Sequence, residues 1–291
     1  MCSFHKVGII GKQDNDPRVI TTIGRLADYL GQLGIEILFE SITATAISAG
    51  DGLSMSRLGE HCDLIIIVGG DGTFLHAARE VAEQDVALVG INLGRLGFLV
   101  DLSPDDIEWR LERILNGEYD EDTRTILSAR SNGVSGRALN DVVVHKWNTA
   151  RMIELETYVD GQLVNAQRSD GIIVSTPTGS TAYALSGGGP LIHPSLDALL
   201  VVPICPHTLS NRPLVLAGSS RIEIRICDFE PGQVHLTCDG QVQLPLAEGA
   251  PILVEHSAHQ VRLLHPRGHD HYSILRAKLG WGENTRTDRS C

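Results

Sequence analysis

The residues best suited to chemistry are three glycines around one carboxylate, Gly69-Gly70-Asp71-Gly72, directly after the apolar run at 64–68. Glycine lets a phosphate or another backbone segment approach where a Cβ would collide. Asp71 is the one charged side chain of this turn. Apolar spacing over residues 73–83 predicts a helix whose positive N-terminal end lies at the same point. The pattern fits an ordinary strand-to-helix turn as well as a phosphate site with a carboxylate beside it.

Two further clusters carry polar groups suited to a nucleotide. Residues 169–190 are rich in hydroxyl side chains and glycine, and Tyr183 adds a flat ring and a phenolic hydroxyl. Asn140 and Asp141 begin an apolar run, where an amide and a carboxylate suit a ribose or the edge of a base. Taken singly, the first cluster also fits a solvated loop and the second an ordinary turn.

The elements that must position these groups differ between two parts of the chain. In residues 1–120, apolar strands alternate with amphipathic helices, which predicts an open parallel α/β domain. Beyond residue 118 the apolar period is two, and Asp160-Gly161 is a hairpin signal, so residues 121–270 are predicted to form a β-rich domain. Residues 271–291 are predicted to pack back on the N-terminal domain.

Several local expectations follow from the same patterns. Ser103-Pro104 predicts a helix start, and that helix should end near Asn116. Residues 41–60 are predicted to be mainly loop. Residues 252–255 and 261–264 are predicted as separate strands, and residues 274–281 as helical or extended.

Composition limits the class of function. The net charge of the 291-residue chain is −12 with no basic cluster, which argues against nucleic acid and membrane partners. No apolar run approaches the ~20 residues of a membrane helix, and no secretion signal is recognisable. Six scattered cysteines predict reduced thiols in the cytoplasm. His269 and His271 have a metal-like spacing but no third ligand nearby in the sequence, so no metal ligands are predicted.

Together the clusters resemble the NAD kinase family in content and order. The resemblance extends over nearly the whole chain, through residues 69–73, 90–99, 140–141, 176–183, 206–213, 238–241 and 278–282. The Gly-Gly-Asp-Gly motif is shared with 6-phosphofructokinases and diacylglycerol-type lipid kinases, whereas the Thr-Pro-Thr-Gly-Ser-Thr-Ala-Tyr segment at 176–183 separates NAD kinases from both. The resemblance implies an α/β domain followed by a β-sandwich-like domain in which residues 121–270 bind NAD. It also implies a homodimer or homotetramer.

The resemblance also implies an activity and a set of site residues. The activity is transfer of the terminal phosphoryl group of ATP to the 2′-hydroxyl of the adenosine ribose of NAD, giving NADP, with a divalent cation, expected to be Mg²⁺. Asp71 is implied as the general base. The implied contacts to the substrates are Asp71, Gly72, Asn140, Asp141, Arg151, Arg168, Asp170, Thr181, Ala182, Tyr183, Ala184, Leu185, Ser186 and Gln241.

Two rival functions and several local alternatives remain open at this point. A lipid kinase would share the Gly-Gly-Asp-Gly motif but would need an apolar entry or membrane-facing patch. A non-catalytic NADP-binding sensor would have no need of Asp71. Asp71 also fits a helix cap, and Arg151 and Arg168 also fit exposed surface charges. The chain departs from the family at Asp141, where many relatives have Glu, and at Gly187, where they commonly have Ala.

Overall fold

The computed structural model describes residues 4–14, 16–94, 97–227, 229–230 and 232–281. These residues form two compact units, one up to Asp122 and again from Arg262, the other Thr123–Val261. The helices are α1 Pro17–Gln32, α2 Ser41–Ala46, α3 Met55–His61, α4 Asp71–Glu80, α5 Ile107–Leu115, α6 Tyr183–Ser186 and α7 His271–Leu279, with 3₁₀ turns at Pro104–Asp106 and Thr178–Thr181. The strands are β1 Lys6–Gly11, β2 Glu36–Phe39, β3 Leu64–Val68, β4 Ala87–Ile91, β5 Tyr119–Ser131, β6 Val134–Ala138, β7 Asp141–Lys146, β8 Ile153–Val159, β9 Gln162–Ser169, β10 Gly171–Ser175, β11 Ala198–Ile204, β12 Leu214–Ala217, β13 Ile222–Ile226, β14 Val234–Cys238, β15 Val242–Leu244 and β16 Ile252–Pro266.

The first unit is built on a parallel sheet. Its strands pair in the order β2-β1-β3-β4, and Arg262 and Leu263 of β16 pair parallel with β4. Strands β3 and β4 are buried along their whole length, as expected where helices cover both faces of a parallel sheet. All carboxyl ends therefore lie at one edge, where ligands usually bind in such sheets. The Gly69–Gly72 turn follows β3 at that edge.

The second unit is a sandwich of antiparallel strands. One sheet has the order β12-β11-β10-β7-β14-β15, and the other contains β13, β8, β9 and the first part of β16. Every second residue along the strands of both sheets points into one buried core. Examples are Val142, Leu236, Leu155 and Ile224. The predicted fold class, a parallel α/β domain followed by a β-sandwich-like domain, is confirmed.

Local predictions were confirmed where turn and cap chemistry is strong. Ser103 caps the 3₁₀ turn that leads into α5, which ends at Asn116. Asp160 and Gly161 both have positive φ in the tight β8–β9 turn. Residues 274–281 lie largely in helix α7.

Two local predictions were wrong. Residues 41–60 contain helices α2 and α3, whose N-termini are capped by the Glu40 and Ser54 side chains but whose apolar pattern is weak. The two strands predicted at 252–255 and 261–264 are one strand, β16, because residues 256–260 keep an extended backbone although they lack the apolar alternation of a strand. No described helix has both the length and the apolar composition needed to cross a membrane.

Candidate active site

The Asp71 carboxylate lies at the first residue of α4 and is held by the loop after β4. Its Oδ2 accepts a hydrogen bond from the backbone N–H of Phe98 at 3.0 Å, and its Oδ1 accepts one from Leu99 at 3.2 Å. The N-cap of α4 is Gly70, and no side chain caps this helix. Asp71 therefore does not cap its own helix, and its orientation is set by a segment almost thirty positions away.

Glycine is required next to this carboxylate for a steric reason. A Cβ at Gly97 would lie 2.2 Å from Asp71 Oδ1, much closer than any non-bonded carbon and oxygen can come. A Cβ at Gly70, by contrast, would meet nothing within 4 Å. Gly72 is exposed in the first turn of α4. The turn thus leaves open space at a helix N-terminus, which suits an anionic group.

The second unit contains a cavity of about 600 Å³ along the β7–β14 side of its six-stranded sheet. Five of the predicted site residues line it: Asn140, Asp141, Ala182, Tyr183 and Gln241. Its volume lies in the range of small-molecule and cofactor sites. Asp239 and Gly240 belong to the segment 238–241 that carries the family resemblance, but they were not among the predicted contacts. The other lining residues, also not predicted as contacts, are Val143, His145, Trp147, His235, Thr237, Val242 and Gln243.

Alternation along the strands is the one sequence signal that could have identified some of the residues that were not predicted. Asp141, Val143 and His145 alternate along β7, and His235 and Thr237 alternate along β14, so each set lies on one face of the sheet. Trp147 stacks on His235 with ring centroids 4.6 Å apart and an angle of 19° between the planes. Period two predicts which side chains share a face, but not that the face borders a cavity.

Asp141 and Asp239 form a carboxylate pair at this cavity. The Asp239 carboxylate accepts hydrogen bonds from the backbone N–H groups of Leu139, Asn140 and Asp141 at 3.0, 2.7 and 3.2 Å. Asp141 is 5% exposed. Burial, and then the negative charge of Asp239, raise the pKa of Asp141 to about 7.

The hydroxyl-rich segment contributes fewer ligand groups than its composition suggests. Thr176 Oγ1 donates to Leu139 O at 2.6 Å, Ser180 Oγ donates to Pro177 O at 2.6 Å, and Thr181 Oγ1 donates to Thr178 O at 3.1 Å. The bond from Thr176 joins the segment to the residue before Asn140, and the other two bonds lie within the segment. The packing there is close, because a Cβ on Gly179 would lie 2.2 Å from Asn140 O. Tyr183, 45% exposed, is the side chain this packing presents to the cavity. Burial, followed by neighbouring negative groups, raises its pKa.

The remaining predicted residues lie outside this cavity. Arg168 forms an ion pair with Glu154 and lines a second cavity of about 360 Å³ that also includes His207. Arg151 is exposed and lines a third cavity of about 540 Å³. Asp170 pairs with Lys146 at 2.7 Å. Ala184 is fully buried, while Leu185 and Ser186 complete the short helix α6.

Asp101, His265 and His269 form a separate cluster in the first unit. The Nδ1 atoms of both histidines lie 2.9 Å from Asp101 Oδ2, and the two rings stack with centroids 3.8 Å apart. The three side chains offer ligand atoms within 4.8 Å of one another. Both Nδ1 atoms lie within hydrogen-bond distance of the same carboxylate oxygen, so the contacts in this cluster are those of a buried hydrogen-bonded network. Although burial opposes it, the bonds from His265 and His269 hold the pKa of Asp101 far below its usual range.

Family models, related sequences and related structures all match this chain to NAD or NADH kinases. The family model for the ATP-NAD kinase N-terminal domain matches residues 7–119, and the model for the ATP-NAD kinase C-terminal domain matches residues 139–266. A protein named NAD kinase from Halorhodospira halophila is 48% identical over 292 aligned positions, covering 96% of this chain and 94% of that protein. The NAD kinase of Chromohalobacter salexigens is 45% identical over 288 positions, covering 97% and 98%.

Two solved structures resemble the whole chain. The crystal structure of yeast NADH kinase complexed with NADH aligns with a TM-score of 0.87 and 25% identity, covering 99% of this chain and 90% of that one. The structure of an NAD kinase from Archaeoglobus fulgidus in complex with ATP aligns with a TM-score of 0.75 and 26% identity, covering 94% and 99%.

Proposed function

Since this chain belongs to the ATP-NAD kinase family, we propose that Asp71 is the general base of its reaction. The chain is a phosphotransferase that transfers the terminal phosphoryl group of ATP to the 2′-hydroxyl of the adenosine ribose of NAD, giving NADP. Neither the lipid kinase nor the NADP sensor is favoured, because the NAD kinase relatives match almost the whole chain.

The proposal for Asp71 is supported chiefly by the way its carboxylate is held. Each oxygen accepts one backbone N–H, from Phe98 or Leu99, and keeps a further lone pair for a substrate hydroxyl. As the new P–O bond forms, the carboxylate takes the hydroxyl proton, and the electron pair of the broken P–O bond leaves with ADP. A base positioned in this way contributes about 10²–10⁴ in rate. Alignment and charge neutralisation supply the rest, because phosphoryl transfer needs little covalent help from the protein.

We propose that the cavity of the second unit binds the dinucleotide. Asn140, Asp141, Tyr183 and Gln241 would contact NAD there. Asn140 and Gln241 offer amide donors and acceptors, and Tyr183 offers a ring for stacking. The yeast relative is described as complexed with NADH, which is consistent with a dinucleotide site in this fold.

The other predicted contacts stay predictions. They are Gly72, Arg151, Arg168, Asp170, Thr181, Ala182, Ala184, Leu185 and Ser186. Arg168 and Asp170 would have to exchange their present ion pairs for contacts with the substrate. Ala184 is buried, so its contribution would be to anchor α6, the short helix that carries Tyr183. The predicted domain boundaries at residues 120 and 270 also stay predictions.

We propose that Mg²⁺ enters as part of the substrate, the MgATP complex. A net charge of −12 leaves the chain poorly suited to neutralise a triphosphate by itself. We further propose a homodimer or homotetramer that acts in the cytoplasm. Cysteines that form no disulfide, such as Cys62 and Cys205, are consistent with that reducing compartment.

The first experiment compares NADP formation from NAD, ATP and Mg²⁺ by the wild type and Asp71→Asn. We expect kcat to fall by about a hundredfold or more while NAD still binds, because the amide cannot accept the proton. The matched control is Glu80→Gln, at the exposed far end of the same helix, which should leave kcat unchanged. Equal activity in wild type and Asp71→Asn would remove Asp71 from its role. Tight NADP binding without turnover by the wild type would support the sensor instead.

A further inference from the structure

Asp239 ties the start of β7 to the turn between β14 and β15. Its carboxylate accepts three backbone N–H groups, from residues 139, 140 and 141, at 2.7–3.2 Å. Its own N–H donates to Asp141 O at 2.8 Å, so the two aspartates are joined in both directions. Asp239 and Gly240 both have positive φ in a tight turn closed by the hydrogen bond from Gln241 N to Cys238 O, as at the β8–β9 turn.

The two carboxyl groups have opposite environments. Asp239 receives three N–H donors, which favour its ionised form. Asp141 is almost fully buried, and none of the described residues that line the cavity is Lys or Arg. Two carboxyl groups in such different surroundings take different protonation states at the same pH.

The other titratable groups near Asp141 do not change this assignment. Tyr183 of α6 lines the same cavity, and its raised pKa keeps the phenol neutral. His145 lies on the same face of β7, and His235 lies on the same face of the neighbouring strand β14. Burial, followed by the neighbouring His145, lowers the pKa of His235, so this ring is neutral near pH 7. Lys146, the closest lysine in sequence, is paired with Asp170.

We propose that Asp239 is a positioning residue that holds Asn140 and Asp141 in place, and that Asp141 meets NAD as a neutral carboxylic acid that donates a hydrogen bond. This inference rests on the proposed binding of NAD in the cavity. A neutral acid can donate to a ring nitrogen or an ether oxygen at the adenosine end of NAD, which a carboxylate cannot. It also avoids repulsion between a second buried negative charge and the diphosphate of NAD.

The test measures NAD binding by titration calorimetry without ATP, from about pH 5.5 to about pH 9, a range in which Asp141 titrates and NAD does not. For the wild type we expect a constant Kd below about pH 7 and a rise approaching tenfold per pH unit above it. Asp141→Asn keeps a donor at every pH, so its Kd should stay near the low-pH value of the wild type throughout. The matched control is Asp160→Asn, in the β8–β9 turn, which should keep the wild-type profile.

Asp239→Asn provides an independent arm. An amide has one acceptor oxygen for the three N–H groups, so NAD should bind more weakly at every pH. Loss of the charge should also move the rise in Kd to lower pH, so that the weakening is several-fold greater at pH 7.5 than at pH 5.5. Equal weakening at both pH values would contradict the proposed link between the charge of Asp239 and the protonation of Asp141. Thermal melting of each variant separates this effect from unfolding.

The wild-type profile alone can overturn the proposal. A Kd that falls as pH rises would mean that Asp141 binds NAD in its ionised form, and a Kd that is constant from about pH 5.5 to about pH 9 would mean that NAD binding does not depend on the proton of Asp141. Either result contradicts the proposal. The kinase assay is a separate measurement. Normal pH-dependent NAD binding without NADP formation would contradict the proposed function and leave the neutral Asp141 intact.

Discussion

At the scale of single residues, the orientation of Asp71 depends on Gly97, because only a residue without a side chain fits beside its carboxylate. The carboxylate is held against residues 97–99, and the Cα of Gly97 faces Asp71 Oδ1 so closely that a methyl group cannot fit. A methyl group there must displace either the loop or the carboxylate. Displacement of a catalytic group by about 1 Å is enough to lower the rate substantially.

We therefore predict that Gly97→Ala lowers kcat/KM by about 10–100-fold. The control is Gly94→Ala in the same loop, where the nearest atom to the new Cβ would be Asn92 Oδ1 at 3.8 Å. Steady-state kinetics of both variants, with thermal melting, makes the comparison. Equal activity of Gly97→Ala and Gly94→Ala would show that the contact between Gly97 and Asp71 is irrelevant to the reaction.

At the scale of elements, Asp101 joins the segment after β4 to the end of β16 and to the turn before α7. His265 belongs to β16, and His269 lies between β16 and α7. Both rings and the carboxylate are largely buried. Removal of one partner from such a buried network leaves polar groups without their bonds.

We predict that Asp101→Asn lowers the free energy of unfolding by about 3 kcal/mol at pH 7. Because the folded protein lowers the pKa of Asp101, this contribution is present above the ordinary carboxyl pKa, near 4, and is lost as pH falls through the lower folded value. Urea unfolding at pH 7 and at acidic pH measures both effects. Asp105→Asn, on the exposed 3₁₀ turn of the same segment, is the control and should change little. A loss for Asp101→Asn that equals that of the control would refute the prediction.

At the scale of the whole molecule, the second unit leaves an apolar sheet edge available for a second copy. Strand β12 ends the six-stranded sheet and pairs with β11 on one side. Val215 is 54% exposed on this strand. Proteins usually protect such edges, and subunit association is one way to do so.

We predict that Val215→Lys shifts the oligomer towards smaller species, because a charge on an edge strand opposes edge-to-edge contact. Sedimentation equilibrium gives the mass of each variant. Leu33→Lys is the control, since Leu33 is similarly exposed at the end of α1 in the other unit. If Val215→Lys keeps the wild-type mass at every protein concentration, the β12 edge is not the contact.

The sequence by itself determined the family, the fold class and the elements whose signals are local. Strand β10 begins and ends where the apolar run predicts, and the β8–β9 hairpin turns at Asp160-Gly161. Side-chain period, caps and turn residues are properties of neighbouring positions, so the sequence carries them directly. Helices α2 and α3 were missed because short helices with a weak apolar pattern leave little of this local signal.

Only the tertiary structure decided which polar groups act together. Asp239 holds residues 139–141 from about a hundred positions away, and Asp101 meets its two histidines across more than 160 positions. It also showed that the hydroxyls of Thr176 and Ser180 bond within the protein. Such pairings depend on the order of the strands in a sheet and on their register. Neither the order nor the register produces a repeating pattern of residue types in the sequence of one chain. Residue types therefore predicted the chemistry, whereas long-range packing set the burial, the hydrogen bonds and the orientation of the groups proposed to perform it.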